Sequence, residues 1–597
     1  MVKHYKRTKT WEEIVGMKFG FSICVLALGM GLSAGSIAAQ ELDTLTPPQP
    51  AANPALLTHQ ERFAEAEIIT VKDNIYVAHG FDMCNMIFVE GPDGLIVMDT
   101  GMREEKAARA IAAVRELTDK PIKAVFYSHG HGDHVGGSGA FKAAAPDAEF
   151  YAYENWQRNI NYIASAVRPT FTLRAFAQLG LILPEGLNGT VGSGGGPVLR
   201  AQGTMSYVEP TATVSDGEWV EIAGLRFQAL HTPGDLDDGL SLWFPEFDTI
   251  LTGDTITESH VHVILATPRH EPNRNAQEFV ESLTRIGSFD AEVLIGGHGD
   301  VVRGKDAVRA IVRDDRRTAQ FTIDEVMRRI RRNQSEDDVQ ADFAYPDWFL
   351  EGKERSDYYH KLSWIARGVY NQHMGSFTGD AATLSPASPQ LRAERIVAGF
   401  GGVDAAVDAL ETAYEVNDFH WAVELASYVG SVAPSNARAR RIKSWSLKAI
   451  AYASESANER NYLLTQALIL DGVIPLAAIQ NASARRGLPA YYEAADPKVF
   501  LHTLGARLNV EVARDSQLAF RVTVTDREQK DYLVEVDRGV LLVSSFDQQN
   551  AEFSLSLDHA ALANLSEGKS AWQAQVASGA VSFNGDQAKF AEFANLF

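Results

Sequence analysis

One short run of the chain concentrates residue types that bind metals. Residues 128 to 134 read Ser-His-Gly-His-Gly-Asp-His and directly follow the apolar run Ile122 to Tyr127. Neutral imidazole and carboxylate are ligands that zinc prefers, and a turning loop can direct alternate side chains at two adjacent ions. The run therefore predicts a metal site rather than a polar loop that is merely rich in histidine.

A site for two ions needs more ligands than this run supplies, and four other segments offer them. In each, an apolar run ends in small residues and one potential ligand: Asp99, Asp235, Asp254 and His298. Asp235 closes the sequence His-Thr-Pro-Gly-Asp that begins at His231. Ligands at the ends of core strands are held rigidly, as metal geometry requires.

Alternating strands and helices are predicted around these candidates. From about residue 60 to 320, short β-rich runs alternate with helical patterns. An amphipathic helix is predicted from Arg103 to Thr118. The strands that precede it are Ile68–Val71, Ile75–Ala78, Met86–Glu90 and Leu95–Asp99, with the turn Gly91 to Gly94 between the last two.

The second half of the chain changes character twice. A helical unit comes first, of the kind that forms a small bundle or a tetratricopeptide-like array and serves packing or dimerisation. Its predicted helices are Ala405–Val416, His420–Val432, Ala437–Ala453 and Glu459–Leu470. An α+β domain follows. Its predicted elements are the antiparallel strands Ala519–Val524, Asp531–Val536, Gly539–Ser545 and Ala551–Leu557 and the helices Ala560–Leu565 and Asp586–Leu596.

Size and charge limit the possible partners. The 597 residues predict about three or four domains at roughly 150 residues each. Hydrophobic residues make up 45% of the chain, which predicts a packed core. The formal net charge of -22 argues against a nucleic-acid partner, because an acidic protein is repelled by phosphate backbones.

The N-terminus has the pattern of a secretory signal. Met17 and Lys18 precede an apolar stretch from Phe19 to Leu32, and small residues continue to Ala39. This order predicts a cleaved signal peptide and a periplasmic or secreted protein, with a retained membrane anchor as the alternative. No other stretch is long and apolar enough to span a bilayer, so no stable membrane insertion is expected.

The succession of candidate ligands resembles the metallo-β-lactamase superfamily, whose pattern is H-x-H-x-D-H, then T-P-G-H, then G-D, then G-H. The resemblance implies an αββα sandwich with two metal ions between its sheets. It assigns His129 and His131 to one ion and Asp133 and His134 to the other. It also implies that Asp254 bridges the two ions and that His298 completes the second site.

The rest of the chain narrows the resemblance to the alkylsulfatases of this superfamily. The segments that carry it are Phe176–Gly180, Leu183–Gly186, Val191–Gly196 and Gly368–Gly375. In that family the catalytic domain is followed by a helical dimerisation domain and a C-terminal domain like sterol carrier protein 2. The predicted domains are a signal peptide (1–39), a linker (40–56), a metallo-β-lactamase-like catalytic domain (57–380), an all-α dimerisation domain (381–485) and an α+β SCP2-like domain (486–597).

The chain departs from the alkylsulfatase pattern at several positions. The family supplies a glutamate ligand in T-P-G-T-E, where this chain has Asp235, with Asp237 and Asp238 as rival ligands. The bridging residue is Asp254, where the family often has glutamate. The family tyrosine near the end of the catalytic domain corresponds to Phe377. These departures leave the metal centre intact and the exact substrate open.

The resemblance also implies residues for substrate binding and proton transfer. Arg269 falls near the family arginine that contacts sulfate, and a guanidinium offers paired donors to a tetrahedral oxyanion. His260 and His262, with His270, follow the bridging residue and are candidates for protonating the leaving group. Asp133 and these groups form the predicted catalytic set. An apolar lining for an alkyl chain is offered by Phe171, Leu173, Phe176, Leu179, Leu181 and Ile182.

Three functions follow from this pattern. The first is zinc-dependent hydrolysis of alkyl or aryl sulfate esters, with two Zn²⁺ ions, an amphiphilic substrate and a homodimeric protein. The second is hydrolysis of another ester, a lactone or a thioester by the same metals. The third is a lipid-binding or scaffold protein with a vestigial site. Whether water attacks sulfur or the ester carbon is not determined by the pattern.

Overall fold

The computed structural model describes residues 45–259, 269–350, 357–477, 494–528, 531–545 and 551–597. The predicted signal peptide and the residues His260 and His262 lie outside these ranges. Residues 47–597 form one unit. Among the described residues, no helix has the length and apolar character required to cross a bilayer.

The first sheet of the catalytic region has seven strands in sequence order. The hairpin between its third and fourth strands pairs Gly91 with Gly94 around Pro92 and Asp93. The next three pairings are parallel, so the carboxyl ends of the fourth to seventh strands lie at one edge. The strands are β1 (Glu67–Val71), β2 (Ile75–His79), β3 (Met86–Gly91), β4 (Gly94–Met98), β5 (Ile122–Phe126), β6 (Glu149–Tyr153) and β7 (Ala212–Val214).

The second sheet has six strands, ordered β13-β12-β11-β10-β9-β8, and packs face to face on the first. Side chains from both sheets, among them Phe126, Phe227 and Leu251, form one buried core between them. The strands are β8 (Trp219–Ile222), β9 (Leu225–His231), β10 (Leu240–Phe244), β11 (Thr249–Gly253), β12 (Val293–Gly296) and β13 (Val302–Arg303).

Helices cover the outer faces of the two sheets and complete the αββα sandwich. Amphipathic helices at 104–114 and 276–287 bury one apolar face each. The predicted αββα sandwich, followed by a helical region and a C-terminal α+β domain, is confirmed. The helices up to this point are α1 (Pro54–Glu61), α2 (Glu104–Val114), α3 (Gly132–Val135), α4 (Ser138–Ala144), α5 (Gln157–Ala164), α6 (Arg168–Gln178) and α7 (Ala276–Gly287).

A helical region follows the second sheet. Its later helices lie within one or two residues of the predicted positions, and side-chain caps mark several of their starts, such as Ser456 before α16. The helices are α8 (Lys305–Ile330), α9 (Glu336–Asp342), α10 (Asp347–Leu350), α11 (Leu362–Met374), α12 (Pro389–Gly399), α13 (Val403–Glu415), α14 (Phe419–Val432), α15 (Ala437–Ala453) and α16 (Ala457–Leu470).

The C-terminal domain is a five-stranded sheet with helices, as predicted, but its strands are not all antiparallel. Strand β17 lies beside β14 and runs parallel to it, because the chain returns to the unpaired edge of β14 after β16. The strands are β14 (Gln517–Val524), β15 (Asp531–Asp537), β16 (Val540–Ser545), β17 (Phe553–Leu557) and β18 (Ser582–Gly585). The helices are α17 (Pro497–Arg507), α18 (His559–Ser566), α19 (Trp572–Ser578) and α20 (Gln587–Ala594).

The C-terminal domain is fixed to the catalytic region by buried contacts. Residues from both belong to one continuous hydrophobic core. The guanidinium of Arg168 on α6 forms a two-pronged ion pair with Glu567, and both side chains are buried. Arg527 pairs with Glu209 in the same way. The two regions are therefore packed together rather than tethered.

Candidate metal centre

The histidine run begins where β5 ends and forms a turn anchored by Asp99. Asp99 follows β4 and has a φ of 65°, a conformation rare for residues other than glycine. Its carboxylate accepts hydrogen bonds from the backbone nitrogen and the hydroxyl of Ser128, each at 2.8 Å. Strain of this kind persists where surrounding contacts impose it and clusters at functional sites.

The first group of potential ligands consists of His129, His131 and Asp235. The Nε2 atom of His129 lies 2.9 Å from Nδ1 of His131. Asp235 Oδ2 lies 2.6 Å from that Nδ1 and 3.8 Å from His129 Nε2. The ligand atoms of these three residues all fall within 4.8 Å of one another, which is close enough to hold one ion.

The second group consists of Asp133, His134 and His298. Asp133 Oδ2 lies 3.5 Å from His134 Nε2 and 3.6 Å from His298 Nε2. Asp254 lies between the two groups, with Oδ2 at 3.2 Å from His298, 3.4 Å from His134 and 3.8 Å from His129. The structure therefore brings together all seven predicted ligands, with Asp254 between the two groups.

Two buried atoms test whether this arrangement suits a cation. His134 Nε2 and Asp254 Oδ1 are buried, and neither has a hydrogen-bond partner among the described residues. A buried imidazole nitrogen and a buried carboxylate oxygen without hydrogen-bond partners are costly unless a cation lies beside them. Nitrogen and carboxylate oxygen donors of this kind suit zinc. The donor set fits two metal ions.

Neighbouring charges set the protonation states in the centre. Burial alone opposes protonation of His131, but the carboxylates of Glu271 and Asp235 outweigh it and raise its pKa to about 9. Burial likewise opposes ionisation of Asp254, but the adjacent histidines, His298 foremost, hold the pKa of Asp254 well below its ordinary value. Because a metal needs the neutral imidazole, metal binding at such a site releases protons.

Each imidazole that faces the centre is held from behind by a second contact. His134 Nδ1 lies 2.7 Å from the Asp99 carboxylate. His131 Nε2 lies 2.8 Å from Glu271 Oε1. His298 Nδ1 lies 2.9 Å from the carbonyl oxygen of Met83. Such contacts fix which ring nitrogen faces the metal and strengthen its binding.

Glu271 is the centre of a buried charge cluster that sequence reasoning missed. Its carboxylate is fully buried, contacts Arg274 directly and lies 3.6 Å from Arg269. Arg274 also pairs with the ligand Asp235 at 2.8 Å. Burial opposes ionisation of Glu271, but Arg269, Arg274 and His131 stabilise its carboxylate and lower its pKa to about 2. The two arginines balance an otherwise acidic centre.

The structure distinguishes among the three rival aspartates of the His231 segment. Asp235 lies in the first ligand group, whereas Asp237 pairs with Arg158 at 2.7 Å. Asp238 is buried beside Gly130, and burial together with Asp237 raises its pKa to about 8. His231 stacks on Tyr153 at 4.1 Å, and its Nε2 lies 2.7 Å from the Asp237 carbonyl oxygen. Only Asp235 among the three belongs to a ligand group.

Of the residues predicted to bind or act on the substrate, some lie beside the centre and others do not. Arg269 lies largely buried beside the centre, with its guanidinium carbon 5.5 Å from the Phe171 ring. Because His260 and His262 are not described, their roles stay predictions. His270 is exposed. The predicted tyrosine counterpart Phe377 is 44% exposed, a position that does not suit a site residue.

A tyrosine from another segment occupies the site instead. Tyr359 lies near Arg269 and the carboxylates of Asp133 and Asp235, and burial together with these carboxylates raises its pKa, which Arg269 partly offsets. It packs against a small apolar cluster formed by Met83, Met102, Leu179, Leu181 and Leu199. Its position was not evident from the sequence because residues 357–360 show no ligand-like spacing.

The predicted apolar lining is only partly assembled. Leu179 and Leu181 are buried in the cluster next to Tyr359, and Phe176 packs against it. Phe171 lies under Arg269. Ile182 instead packs against the buried residues of α15 and α16. The lining therefore combines part of the predicted set with three methionines, Met83, Met102 and the partly buried Met205.

Comparison with known families accounts for all three regions of the chain. Residues 79–298 match the metallo-beta-lactamase superfamily, residues 335–472 match the alkyl sulfatase dimerisation domain, and residues 486–597 match the alkyl sulfatase C-terminal domain. The chain belongs to the alkylsulfatase family of the metallo-β-lactamase superfamily. Both ligand groups and Asp254 lie in the first matched region, whereas Tyr359, which is not part of a ligand group, lies in the second.

Proteins named as alkylsulfatases are similar to this chain over most of their length. A linear primary-alkylsulfatase of Pseudomonas sp. is 29% identical over 79% of this chain and 90% of its own. An (R)-specific secondary-alkylsulfatase of Pseudomonas sp. is 27% identical over 91% of this chain and 82% of its own. The solved structure of the stereoselective inverting sec-alkylsulfatase Pisa1 from Pseudomonas sp. aligns with a TM-score of 0.83 at 25% identity, covering 92% of this chain and 87% of that one.

Proposed function

We propose that this chain hydrolyses alkyl sulfate esters to an alcohol and inorganic sulfate at a centre of two zinc ions. The observation that carries the proposal is the pair of ligand groups with Asp254 between them, near His129 of one group and His134 and His298 of the other. The chain is also similar to alkylsulfatases in all three of its regions. His129, His131 and Asp235 would hold one ion, and Asp133, His134 and His298 the other. Such ions supply a nucleophilic water near neutral pH and positive charge to offset the transition state.

The chain's own residues would bind and orient the sulfate group. Arg269 offers the paired donors that suit a tetrahedral oxyanion, and Phe171 holds its guanidinium in place. The Tyr359 hydroxyl keeps its proton because its pKa is raised, so it can donate a hydrogen bond to a sulfate oxygen. Glu271 ties Arg269 to the ligand His131, so the anion-binding and metal-binding residues share one support.

The apolar cluster beside Tyr359 would receive the alkyl chain. Leu179, Leu181, Met83 and Met102 are buried there. Methionine side chains are flexible and fill irregular spaces, so such a lining accommodates chains of different shape. Among the predicted residues, His260 or His262 in the segment before Arg269 would protonate the leaving group.

One sample tests the reaction and the metals together. Zinc content of the purified protein is measured, and sulfate release from dodecyl sulfate is followed with and without a chelator. We expect two zinc ions per chain and chelator-sensitive sulfate release. Two zinc ions with turnover of a lactone or thioester but no sulfate release would make the chain a different metallo-hydrolase. A folded, detergent-binding protein without metal would indicate a lipid-binding role.

The bond that breaks is identified by hydrolysis in ¹⁸O-labelled water. Label in the alcohol means attack on the ester carbon, whereas label in the sulfate means attack on sulfur. A chiral secondary alkyl sulfate gives the same answer independently, because attack on carbon inverts the stereocentre.

We further propose that the chain forms a homodimer through its helical region, which matches the alkyl sulfatase dimerisation domain. The segment that joins α11 to α12 is exposed and carries large apolar side chains, including Phe377 at 44% and Leu384 at 68% exposure. Sedimentation is expected to give twice the mass of a single chain, which is 65.3 kDa when the predicted signal peptide is included. Replacement of Leu384 by Asp should shift the protein toward monomer, whereas Leu117→Asp, at an exposed site on the catalytic region, should not.

We also propose export to the periplasm, supported by the signal-like pattern of the first 39 residues. Fractionation of expressing cells, with N-terminal sequencing of the exported protein, tests this. An intact N-terminus in the cytoplasmic fraction would contradict it.

A further inference from the structure

A glycine-rich loop, residues 184–196, lies directly behind one of the candidate ligands. His298 Nδ1 contacts the carbonyl oxygens of Gly195 at 3.1 Å and Met83 at 2.9 Å. Because both partners are acceptors, Nδ1 carries a proton, and Nε2 is the nitrogen that faces Asp254 Oδ2, 3.2 Å away. The position of the Gly195 carbonyl therefore helps to set the orientation of the His298 ring.

The loop is confined on several sides, and its glycines at 194 and 196 have no room for a side chain. A Cβ atom on Gly194 would lie 2.2 Å from the backbone oxygen of Tyr358. A Cβ atom on Gly196 would lie 2.6 Å from the backbone oxygen of Met83. His59 on α1 contacts the Gly194 carbonyl oxygen at 2.7 Å. The conformation of the loop is thus imposed by its neighbours.

Helix α16 of the helical region supplies the strongest of these constraints. Arg460 is fully buried and donates to the carbonyl oxygens of Leu187 at 2.6 Å and Gly189 at 3.2 Å. Burial without a carboxylate partner among the described residues lowers its pKa to about 10. Asn461, also fully buried, donates to the Gly192 carbonyl oxygen at 3.2 Å. Burying a guanidinium is costly, and among the described residues the hydrogen bonds of Arg460 all go to backbone carbonyls, two in the loop and the others at Ala51 and Ala451.

The first turn of α16 also holds the segment that carries Tyr359. The backbone nitrogens of Ala457 and Asn458 donate to the carbonyl oxygens of Tyr358 and Tyr359, at 2.9 and 3.2 Å. The Ser456 hydroxyl donates to the backbone carbonyl oxygen of Tyr359 at 3.0 Å. One helix therefore supports both the loop behind a metal ligand and the tyrosine beside Arg269.

We propose that helix α16 is a positioning element of the active centre, in which Arg460 and Asn461 fix the glycine loop and thereby orient His298 toward its metal ion. The proposal rests on the two-ion centre of the proposed function. It makes the region matched as a dimerisation domain a structural part of the catalytic site as well.

Zinc binding by the full-length protein tests this proposal, measured by competition with a chelator of known affinity. Asn461→Ala removes one hydrogen bond to the loop and leaves Arg460 in place. We expect one of the two ions to bind about tenfold more weakly, as for other contacts behind metal ligands, and the other ion to be unaffected. Arg460→Lys keeps the charge but cannot reach the same set of carbonyls, and should act in the same direction.

The control is Gln466→Ala, on the exposed face of the same helix. It should bind both ions as the wild type does. If Asn461→Ala lowers the unfolding temperature but leaves both zinc affinities unchanged, the helix is only structural and the proposal is wrong. A wild-type protein that does not bind two ions would overturn the proposed function and this proposal together.

Discussion

Gly297 shows how closely the residues of the candidate centre are packed. A Cβ atom at this position would lie 2.2 Å from Asp254 Oδ1 and 2.9 Å from His134 Cε1. Gly297→Ala should therefore displace the bridging carboxylate. We expect loss of bound zinc and a fall in sulfate release of at least ~100-fold, since metal-assisted attack needs both ions in place.

The matched control for that change is Gly430→Ala on helix α14. A Cβ atom at Gly430 meets nothing within 4 Å, and alanine favours the helix. This variant should keep its zinc and its activity. Full zinc occupancy in Gly297→Ala, measured by elemental analysis, would contradict the assignment of Asp254 as the bridge.

The aspartates of the His231 segment allow a second test with single residues. Asp235→Asn removes a charged ligand of the first group and should leave about one zinc ion per chain. Asp237→Asn removes the ion pair with the exposed Arg158 and should leave both ions bound. Elemental analysis of the two purified variants decides between them. If Asp237→Asn loses zinc and Asp235→Asn does not, Asp237 is the ligand and Asp235 is not.

At the scale of elements, the candidate ligands and the supporting Asp99 follow from where strands end. Asp99 follows β4, the histidine run follows β5, Asp254 follows β11 and His298 follows β12. These ends were predictable because each apolar run stops at a polar residue. The parallel pairing of β17 with β14 was not, because the sequence of a strand does not specify its neighbour.

The contact between helix α6 and the C-terminal domain predicts a large effect on stability. The side chains of Arg168 and Glu567 form a buried ion pair. Arg168→Met leaves the carboxylate buried and unpaired, which is expected to lower the free energy of unfolding by about 3–5 kcal/mol. Arg168→Met combined with Glu567→Leu should recover most of this loss, because no charge remains buried.

Urea unfolding of the wild type, both single variants and the double variant gives the coupling energy of this pair. A coupling energy near zero would mean that the C-terminal domain does not depend on the pair for its attachment.

At the scale of the whole molecule, Asp357 predicts a pH dependence of stability. Burial raises its pKa from 3.8 to about 7, and Glu455 and Glu459 add to the effect. The folded protein keeps this proton where the unfolded chain loses it. The contribution of this protonated carboxyl group to the free energy of unfolding is therefore complete below about pH 4, and it is lost as the pH rises through about 7.

Asp357→Asn should remove this dependence while still accepting the hydrogen bond from the Leu362 nitrogen. Between pH 5 and pH 8 the free energy of unfolding of the wild type should fall by on the order of 1–3 kcal/mol more than that of the variant. Glu415→Gln, at the exposed end of a helix, is the control and should follow the wild type. Unfolding free energies from urea titrations at both pH values measure the difference, and parallel pH profiles would contradict the prediction.

The three matched regions act as one body around the centre. The C-terminal domain shares a hydrophobic core with the first sheet, and helix α16 contacts the glycine loop and Tyr359. A site that is supported by three regions loses its geometry when any one is perturbed, which is the common basis of the stability and metal-binding predictions above.

The sequence by itself predicted the histidine-rich run and the strand ends that carry candidate ligands, and its resemblance to the metallo-β-lactamase superfamily implied the class of fold. His129, His131, Asp133 and His134 lie within six positions, and local spacing of this kind directs side chains to one place whatever surrounds it. Apolar runs that end in Asp254 and His298 likewise predicted strands with ligands at their ends. These features depend on neighbours along the chain, so periodicity and spacing reveal them.

Only the tertiary structure decided which distant residues complete the site. The contact of Asp235 with His131 distinguishes it as a candidate ligand from Asp237 and Asp238. Glu271, Arg274 and Tyr359 come from segments without any ligand-like pattern. The role of Arg460 depends on a loop about 270 positions earlier in the chain. Such contacts arise from packing between layers, and no local pattern in the sequence encodes them.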